Sequence, residues 1–399
     1  MDHMVSSPGE NIVTDKVIKT FNTSIFDRVL VNGTVEEKKN LAKQLGHLAC
    51  DSSAPELEHE AIVPALKSLA SDPVKEVRLL LAKILVHCEK LHSDVVFSII
   101  ADDEDIALPF LTHTPALGRL RCLTVLKIGD KARQMILASR SNLNSEVVSF
   151  IADYCDSDVC VALLDNDAIE VSVKDYRRIY VRFREVPEVI EQLLKRSDLP
   201  LEVRILQAKK ASTNVHRLMV ERGWMPANDA QEIIVDAEET TMLRILASAK
   251  SSEIDSLVVF LSGKGLLTAS LILRAACSGD MRMVVHTLSY LSSTPTGKVQ
   301  KVIDDRAVMG LMGVYNRSGL PKEFFHIIRA AADVAGDMKQ QSGGTSKVRF
   351  GPAIIECLMT RYSSISQQEK PVLLEIVARL SDEHTRNLAR QLAGQLQAA

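Results

Sequence analysis

The chain has 399 residues, of which 46% are apolar and 25% charged, and a net charge of -3. That make-up is typical of a folded protein, excludes a disordered one, and supplies no overall attraction to a phosphate backbone. Seven cysteines, at 50, 88, 122, 155, 160, 277 and 357, form an odd set without a CxxC pair, which reads as reduced thiols in a core and a cytoplasmic location.

The first twenty residues lack a basic start followed by an apolar run of signal-peptide length, and no later window approaches eighteen uncharged apolar residues. Neither secretion nor membrane insertion is therefore expected. From about residue 10 the pattern is helical. The first sharp segment is "SDPVKEVRLLLAK", Ser71 to Lys83. Asp72 is placed to cap it, Pro73 to occupy its first turn, and Val74, Val77, Leu80, Leu81 and Ile84 recur at helical spacing. Weaker versions of the same punctuation follow at 101–111, 139–154 and 157–172, each a polar turn leading into an apolar helix.

The segment "KDYRRIYVRFRE", 174–185, interleaves basic and aromatic residues. On a helix Lys174, Arg178 and Arg182 form a stripe flanked by Arg177 and Arg184, with Tyr176, Ile179, Tyr180 and Phe183 on the opposite, core-facing side. From 174 to 222 there are twelve basic residues against seven acidic ones, directly after 151–173, which holds six acids and no Lys or Arg. The five basic residues of the stripe and its flanks are the candidate partner-binding surface, with neutralisation between stacked helix pairs as the simpler reading.

At Ser197 the first segment returns as "SDLPLEVRILQAK", identical to it at eight of thirteen positions and displaced by 126 residues. Asp198 stands where Asp72 stood and Arg204 where Arg78 stood. In each copy the Arg is placed to bond the neighbouring helix pair, so the four residues read as structural staples. Short helices separated by cap-rich turns, without strand alternation, predict helix pairs stacked in a solenoid. The Trp224-Met225-Pro226 break ends this array at 222, and a second helical region follows over 223–336. The Gly- and Ser-rich stretch 337–351 reads as a flexible loop or linker. Two amphipathic helices in 352–399 then need a docking surface on the body, on a second copy of the chain, or on another protein.

The Asp-Pro-x-x-x-Val-Arg run resembles HEAT repeats. With "ALPFLTHTPAL", "RSDLP", "GLLTASLILRAACSGDMRMVVHTLSYLSSTP" and "VYNRSGLPKEFF", residues 40–335 are similar to a bacterial, largely alphaproteobacterial, family of HEAT-like proteins of unknown function. The resemblance implies an all-α fold, a HEAT-like α-solenoid of stacked helix pairs with a further helical C-terminal region. It brings no catalytic residues with it.

Catalytic signatures fail one by one. "STPTGKVQK" lacks the upstream Gly and the following Ser or Thr of a phosphate loop, and His59-Glu60 does not extend to HExxH. His87, Cys88 and His92 do not share one helical face, and the acids Asp102, Asp103, Glu104 and Asp105 suit a helix N-terminus better than a cation. No catalytic, cofactor-binding or metal-ligating residue is expected. The sequence thus points to a non-enzymatic protein-protein interaction scaffold or regulatory adaptor, with a homo-oligomer through the C-terminal helices as one possible assembly. The alternative is a nucleic-acid-binding or DNA base-excising HEAT-like protein, which 4% aromatic content and the acidic balance disfavour.

Overall fold

A computed structural model describes residues 23–51, 56–306, 308–341, 350–362, 365–366, 368–381 and 383–397. The described residues form helices and no strands, and no helix among them is long and apolar enough to cross a membrane. The chain divides into two compact units, residues 1–199 and 200–399.

The first unit holds α1 (Thr23–Asn32), α2 (Val35–Cys50), α3 (Glu56–Ala70), α4 (Lys75–Leu85), α5 (Ser93–Ile100), α6 (Glu104–His113), α7 (Arg119–Ile128), α8 (Lys131–Ala138), α9 (Ser145–Tyr154), α10 (Ser157–Leu164), α11 (Val173–Phe183) and α12 (Pro187–Lys195). Many of these helices are a mere eight to eleven residues long, too short to persist alone in water, so packing holds them. Small polar residues start several of them: the side chains of Thr34, Asp130, Asn144 and Ser172 each accept a first-turn backbone N–H. Every even-numbered helix packs on the next even one, from α2 through α12, and α1, α3 and α5 and then α7, α9 and α11 pack likewise. The core lies between these layers, where Val77, Leu81, Ile99, Leu111, Leu137, Ile151 and Leu163 are fully enclosed.

Polar ties bind each helix to one before it. Arg140, just past α8, is buried and donates to the carbonyl oxygens of Leu111, Thr112 (3.0 Å) and Thr114 (2.7 Å) at the end of α6. Asn166, just past α10, donates to Ala138 O (3.1 Å) and Arg140 O (2.8 Å) at the end of α8. Arg196, just past α12, donates to Asn166 O and Ile169 O, both at 2.9 Å, beyond the end of α10. The last carbonyls of a helix have no partner within it and carry the negative end of its dipole, so a cationic donor satisfies both needs. Burial lowers the pKa of the Arg140 guanidinium from its ordinary value.

At the start of the unit α2 crosses α4 closely. A Cβ on Gly46 would stand 2.8 Å from Ile84 Cγ2, so Gly permits the approach. One turn further on, Cys50 and Cys88 form a disulfide with Cα atoms 4.8 Å apart. This corrects the expectation that all seven cysteines are free thiols. Packing of α2 on α4 brings together two residues that sequence places 38 positions apart.

The second unit holds α13 (Leu201–Glu221), α14 (Ala227–Ala247), α15 (Ser251–Gly263), α16 (Ala269–Cys277), α17 (Met281–Ser292), α18 (Thr296–Asp304), α19 (Val308–Ser318), α20 (Phe325–Gln341), α21 (Phe350–Thr360), α22 (Glu369–Leu380) and α23 (Glu383–Gln397). Its centre is α16, in which every residue from Leu271 to Cys277 is buried, and on which α14, α17, α20, α21 and α22 pack. The Trp224-Met225-Pro226 break is thus a turn inside this unit and not the end of the first. Residues 337–341, expected in a loop, belong to α20, and 350–351 to α21; the remaining 342–349 lie outside the described residues. The two helices expected after the loop are three, α21, α22 and α23, and their apolar stripes are covered within the unit: Ile354, Leu358, Leu374, Val377, Ala389 and Ala393 are buried in its core.

Replacing Arg140 with Met keeps the bulk but leaves the Leu111, Thr112 and Thr114 carbonyls without their donor. We expect a loss of about 3 kcal/mol, read as a lowered denaturant midpoint with unchanged m-value.

Candidate functional site

The two staple sets take different forms. In the first, the buried Asp72 carboxylate accepts from Val74 N (2.8 Å) and pairs with Lys38 (2.7 Å), so Asp72 closes a turn one step before the helix and is not its N-cap. Arg78 forks onto Asp102 through Nε (2.7 Å) and Nη2 (3.0 Å), and its Nη1 bonds Asp72 O (2.8 Å). Lys75 takes Asp103 and Asp105, at 3.3 and 2.8 Å. Three of the four acids at 102–105 are therefore occupied by basic residues of α4.

In the second set Asp198 is taken instead by Arg196, through Nε and Nη2 at 2.9 Å each, and by the Tyr176 hydroxyl at 2.7 Å. The first copy has Ala70 where the second has Arg196 and Cys50 where the second has Tyr176, and the second has Leu164 where the first has Lys38, so each Asp has different partners in reach. Burial pushes the Asp198 carboxyl up, and the bonds from Arg196 and Tyr176 outweigh it, leaving the group below its ordinary value. Burial also raises the Tyr176 hydroxyl, with its bond to Asp198 acting the same way. Arg204, half-buried in α13, also has a partner.

The basic helix α11 buries Tyr176, Ile179 and Tyr180. Two members of its stripe turn toward α9. Arg178 pairs with Asp153 (2.8 Å) and Asp175 (3.5 Å), and Arg182 donates to Ala152 O (2.6 Å) and Cys155 O (2.7 Å) while its guanidinium lies 4.5 Å from the Phe183 ring centroid. Lys174 is exposed; Arg177 and Arg184 are exposed but engaged, Arg184 with Glu185 at 3.6 Å. A stripe expected to face solvent along its length commits two of its three residues to α9, because α9 ends in carbonyls and an acid there.

A run of exposed apolar residues lies in the second unit. The two 21-residue helices α13 and α14 pack as an antiparallel hairpin, each about 31 Å long at 1.5 Å per residue. Gly223 closes the turn with φ +67°, and Trp224 N reaches back to Met219 O at 2.9 Å. A side chain at 223 would meet nothing, so it is the left-handed backbone that requires Gly. Pro226 then starts α14. Beyond its root the hairpin leaves apolar residues uncovered: Val215 (42% exposed), Leu218 (43%), Trp224 (67%) and Ile233 (50%), with Val220 and Val235 also exposed.

On its outer side α14 borders a cleft of about 370 Å³. Asp229, Glu232, Asp236 and Glu239 form one wall; Arg379, Arg386 and Arg390 contribute the other, and Ser270 and Arg274 also line it. Most of these charges are already matched. Buried Glu239 accepts from Thr268 (2.8 Å), Ser270 (2.7 Å) and Arg274 (3.3 Å), Arg274 also pairs with Asp236 (2.5 Å), and Arg386 donates to Ala378 O (3.2 Å) and Ser381 O (3.3 Å). Four acids face four arginines, so the cleft has no net charge with which to draw in a polyanion. Among the described residues no group of three or more His, Cys, Asp or Glu side chains is placed to hold a metal ion.

These features define an all-helical protein whose polar side chains chiefly secure one helix to another. Residues 106–367, from α6 past the end of α21, match a bacterial family, and the chain belongs to it: it is described as "Uncharacterised protein conserved in bacteria (DUF2336)". No curated protein and no solved structure matches the chain.

The hairpin surface escaped the sequence reading because "RGWMP" reads as a boundary. The available signal was the apolar series Ala211, Val215 and Leu218, which lies off the stripe that continues Val203 into the core.

The Asp198 network gives a signed pH dependence. The folded carboxyl titrates below its unfolded counterpart, so its stabilisation is present in full above the unfolded pKa and is lost as pH falls through the folded one. Asp198→Asn should melt below wild type at pH 7, with the gap closing as pH drops below about 4; a gap of constant size would assign the effect to packing.

Proposed function

We propose that this protein is a non-enzymatic protein-protein interaction adaptor built on a HEAT-like α-solenoid, with the α13–α14 hairpin as its docking element. The solenoid reading is supported by the two layers of next-but-one helix contacts in the first unit and by polar ties that span 26 to 33 residues. The docking reading is carried by one observation: Val215, Leu218, Trp224 and Ile233 are all exposed on one hairpin whose turn is fixed by Gly223. Several exposed apolar groups on one element, with a Trp among them, are characteristic of binding surfaces. The charge-matched cleft and the engaged arginines of α11 offer a nucleic acid much less, so that alternative ranks second.

Affinity capture from bacterial lysate should recover the same proteins with wild type and with Lys174→Glu, and lose them with Trp224→Ala combined with Leu218→Glu. Recovery unaffected by the hairpin variant would overturn the hairpin assignment. Nucleic acid retained at moderate salt and lost in Lys174→Glu would favour the second reading.

A further inference from the structure

The exposed hairpin raises the question of what covers it, and its charge pattern answers. Between Lys209 and Arg222, α13 carries four basic residues against Glu221 alone; between Ala227 and Glu239, α14 carries five acids and no Lys or Arg. One helix of the hairpin is thus basic and the other acidic, but several of these charges are used within the chain: Lys209 and Glu238 stand 3.9 Å apart between the helices, and Asp236 and Glu239 hold Arg274. Ala211, Val215, Leu218 and Arg222 recur at spacings of four, three and four along one flank of α13. In an antiparallel pair that flank lies on the same side of the hairpin as Ile233, Ala237 and Asp229 of α14, of which Ile233 and Asp229 also border the cleft.

Two copies can stack on this side about a two-fold axis in only two ways. With the axis perpendicular to the helices, α13 lies on its own equivalent and the tips stand at opposite ends, which keeps Arg222 of one copy away from Asp229 of the other. With the axis parallel to them, the tips lie side by side and α13 of each copy lies on α14 of the other, which sets Arg222 of one beside Asp229 of the other. The second arrangement also matches heights measured from the turn: Val215 comes level with Ile233, and Arg222 comes level to within three residues of Asp229. Apolar residues then meet apolar residues at the centre, and opposite charges meet at the tip, the pattern of a self-complementary interface.

We propose that the partner of this surface is a second copy of the same chain, and that the two hairpins form an intermolecular four-helix bundle with their tips at the same end. The inference rests on the reading of the hairpin as a docking element. It differs from the expected oligomer through the C-terminal helices, whose stripes are covered within their own unit.

The test follows from the crossed pairing. Sedimentation equilibrium of the full chain should give twice its 44.0 kDa mass, and Leu218→Glu should return it to monomer with its helical circular dichroism intact. Arg222→Glu sets acid against acid at both tips, and Asp229→Arg sets base against base, so each should raise the dimer dissociation constant about tenfold or more. Mixed in equal amounts, the two variants should recover the dimer, because the substituted acid of one copy then faces the substituted base of the other, while the native Arg222 and Asp229 that remain face each other. Recovery in trans is something contacts within one hairpin cannot produce. A monomeric wild type overturns the proposal, as does a mixture no tighter than either variant alone. The adaptor reading fails separately: a dimer that captures no lysate protein through the hairpin or any other face leaves the self-association standing without it, whereas a monomer that loses a captured protein on Leu218→Glu does the reverse.

Discussion

An Arg or Asn placed just past the end of one helix, donating to the last carbonyls of an earlier one, is the interaction on which the first unit depends. Arg140, Asn166 and Arg196 perform it in succession along the even-numbered layer, and Arg182, from within the last turn of α11, makes a like tie to the end of α9. Apolar packing alone tolerates helices that slide or rotate a little against each other. A fork of donors aimed at carbonyls that point in fixed directions does not, so the ties set the register between helices while the buried Leu, Ile and Val supply most of the free energy. Asn166 both gives and receives: its amide caps α8 and its own carbonyl accepts from Arg196. The ties are therefore linked in series.

The second unit solves the same problem differently. Instead of a row of equivalent layers it wraps α14, α17, α20, α21 and α22 around α16, a helix apolar enough to be buried on all sides. The one charge on that helix, Arg274, is met by Asp236 and Glu239 of α14. The long hairpin is thereby held by an ionic cluster partway along α14, and apolar residues nearer its turn stay exposed. Anchorage and exposure are properties of one element, and together they suit it to binding.

The helices, their approximate starts and the recurrence of Asp and Arg were legible in the sequence, because caps, breakers and the 3.6-residue period are local signals. What each charged group meets was not. Asp72 and Asp198 are aligned in nearly identical segments, yet one binds Lys38 and the other Arg196. Arg78 finds Asp102, 24 residues on, so the acid cluster read as a helix-dipole feature proves to be a set of ion pairs with α4. The Cys50–Cys88 bond and the burial of the C-terminal stripes are likewise products of which helix lies on which. Amphipathic stripes show that a face must be covered, and they carry no mark of what covers it.

The five free cysteines have a consequence of their own. Cys122, Cys155 and Cys160 are buried in the first unit, Cys277 and Cys357 in the second. Burial raises all five thiol pKa values, to about 11 for Cys155 and about 12 for Cys160 and Cys277. At neutral pH they are protonated as well as shielded, so alkylating reagents meet a reactive thiolate there only when the surrounding helices open. The protein thus contains its own chemical clock for local opening, with separate hands in its two halves, readable by mass without adding a label to the chain.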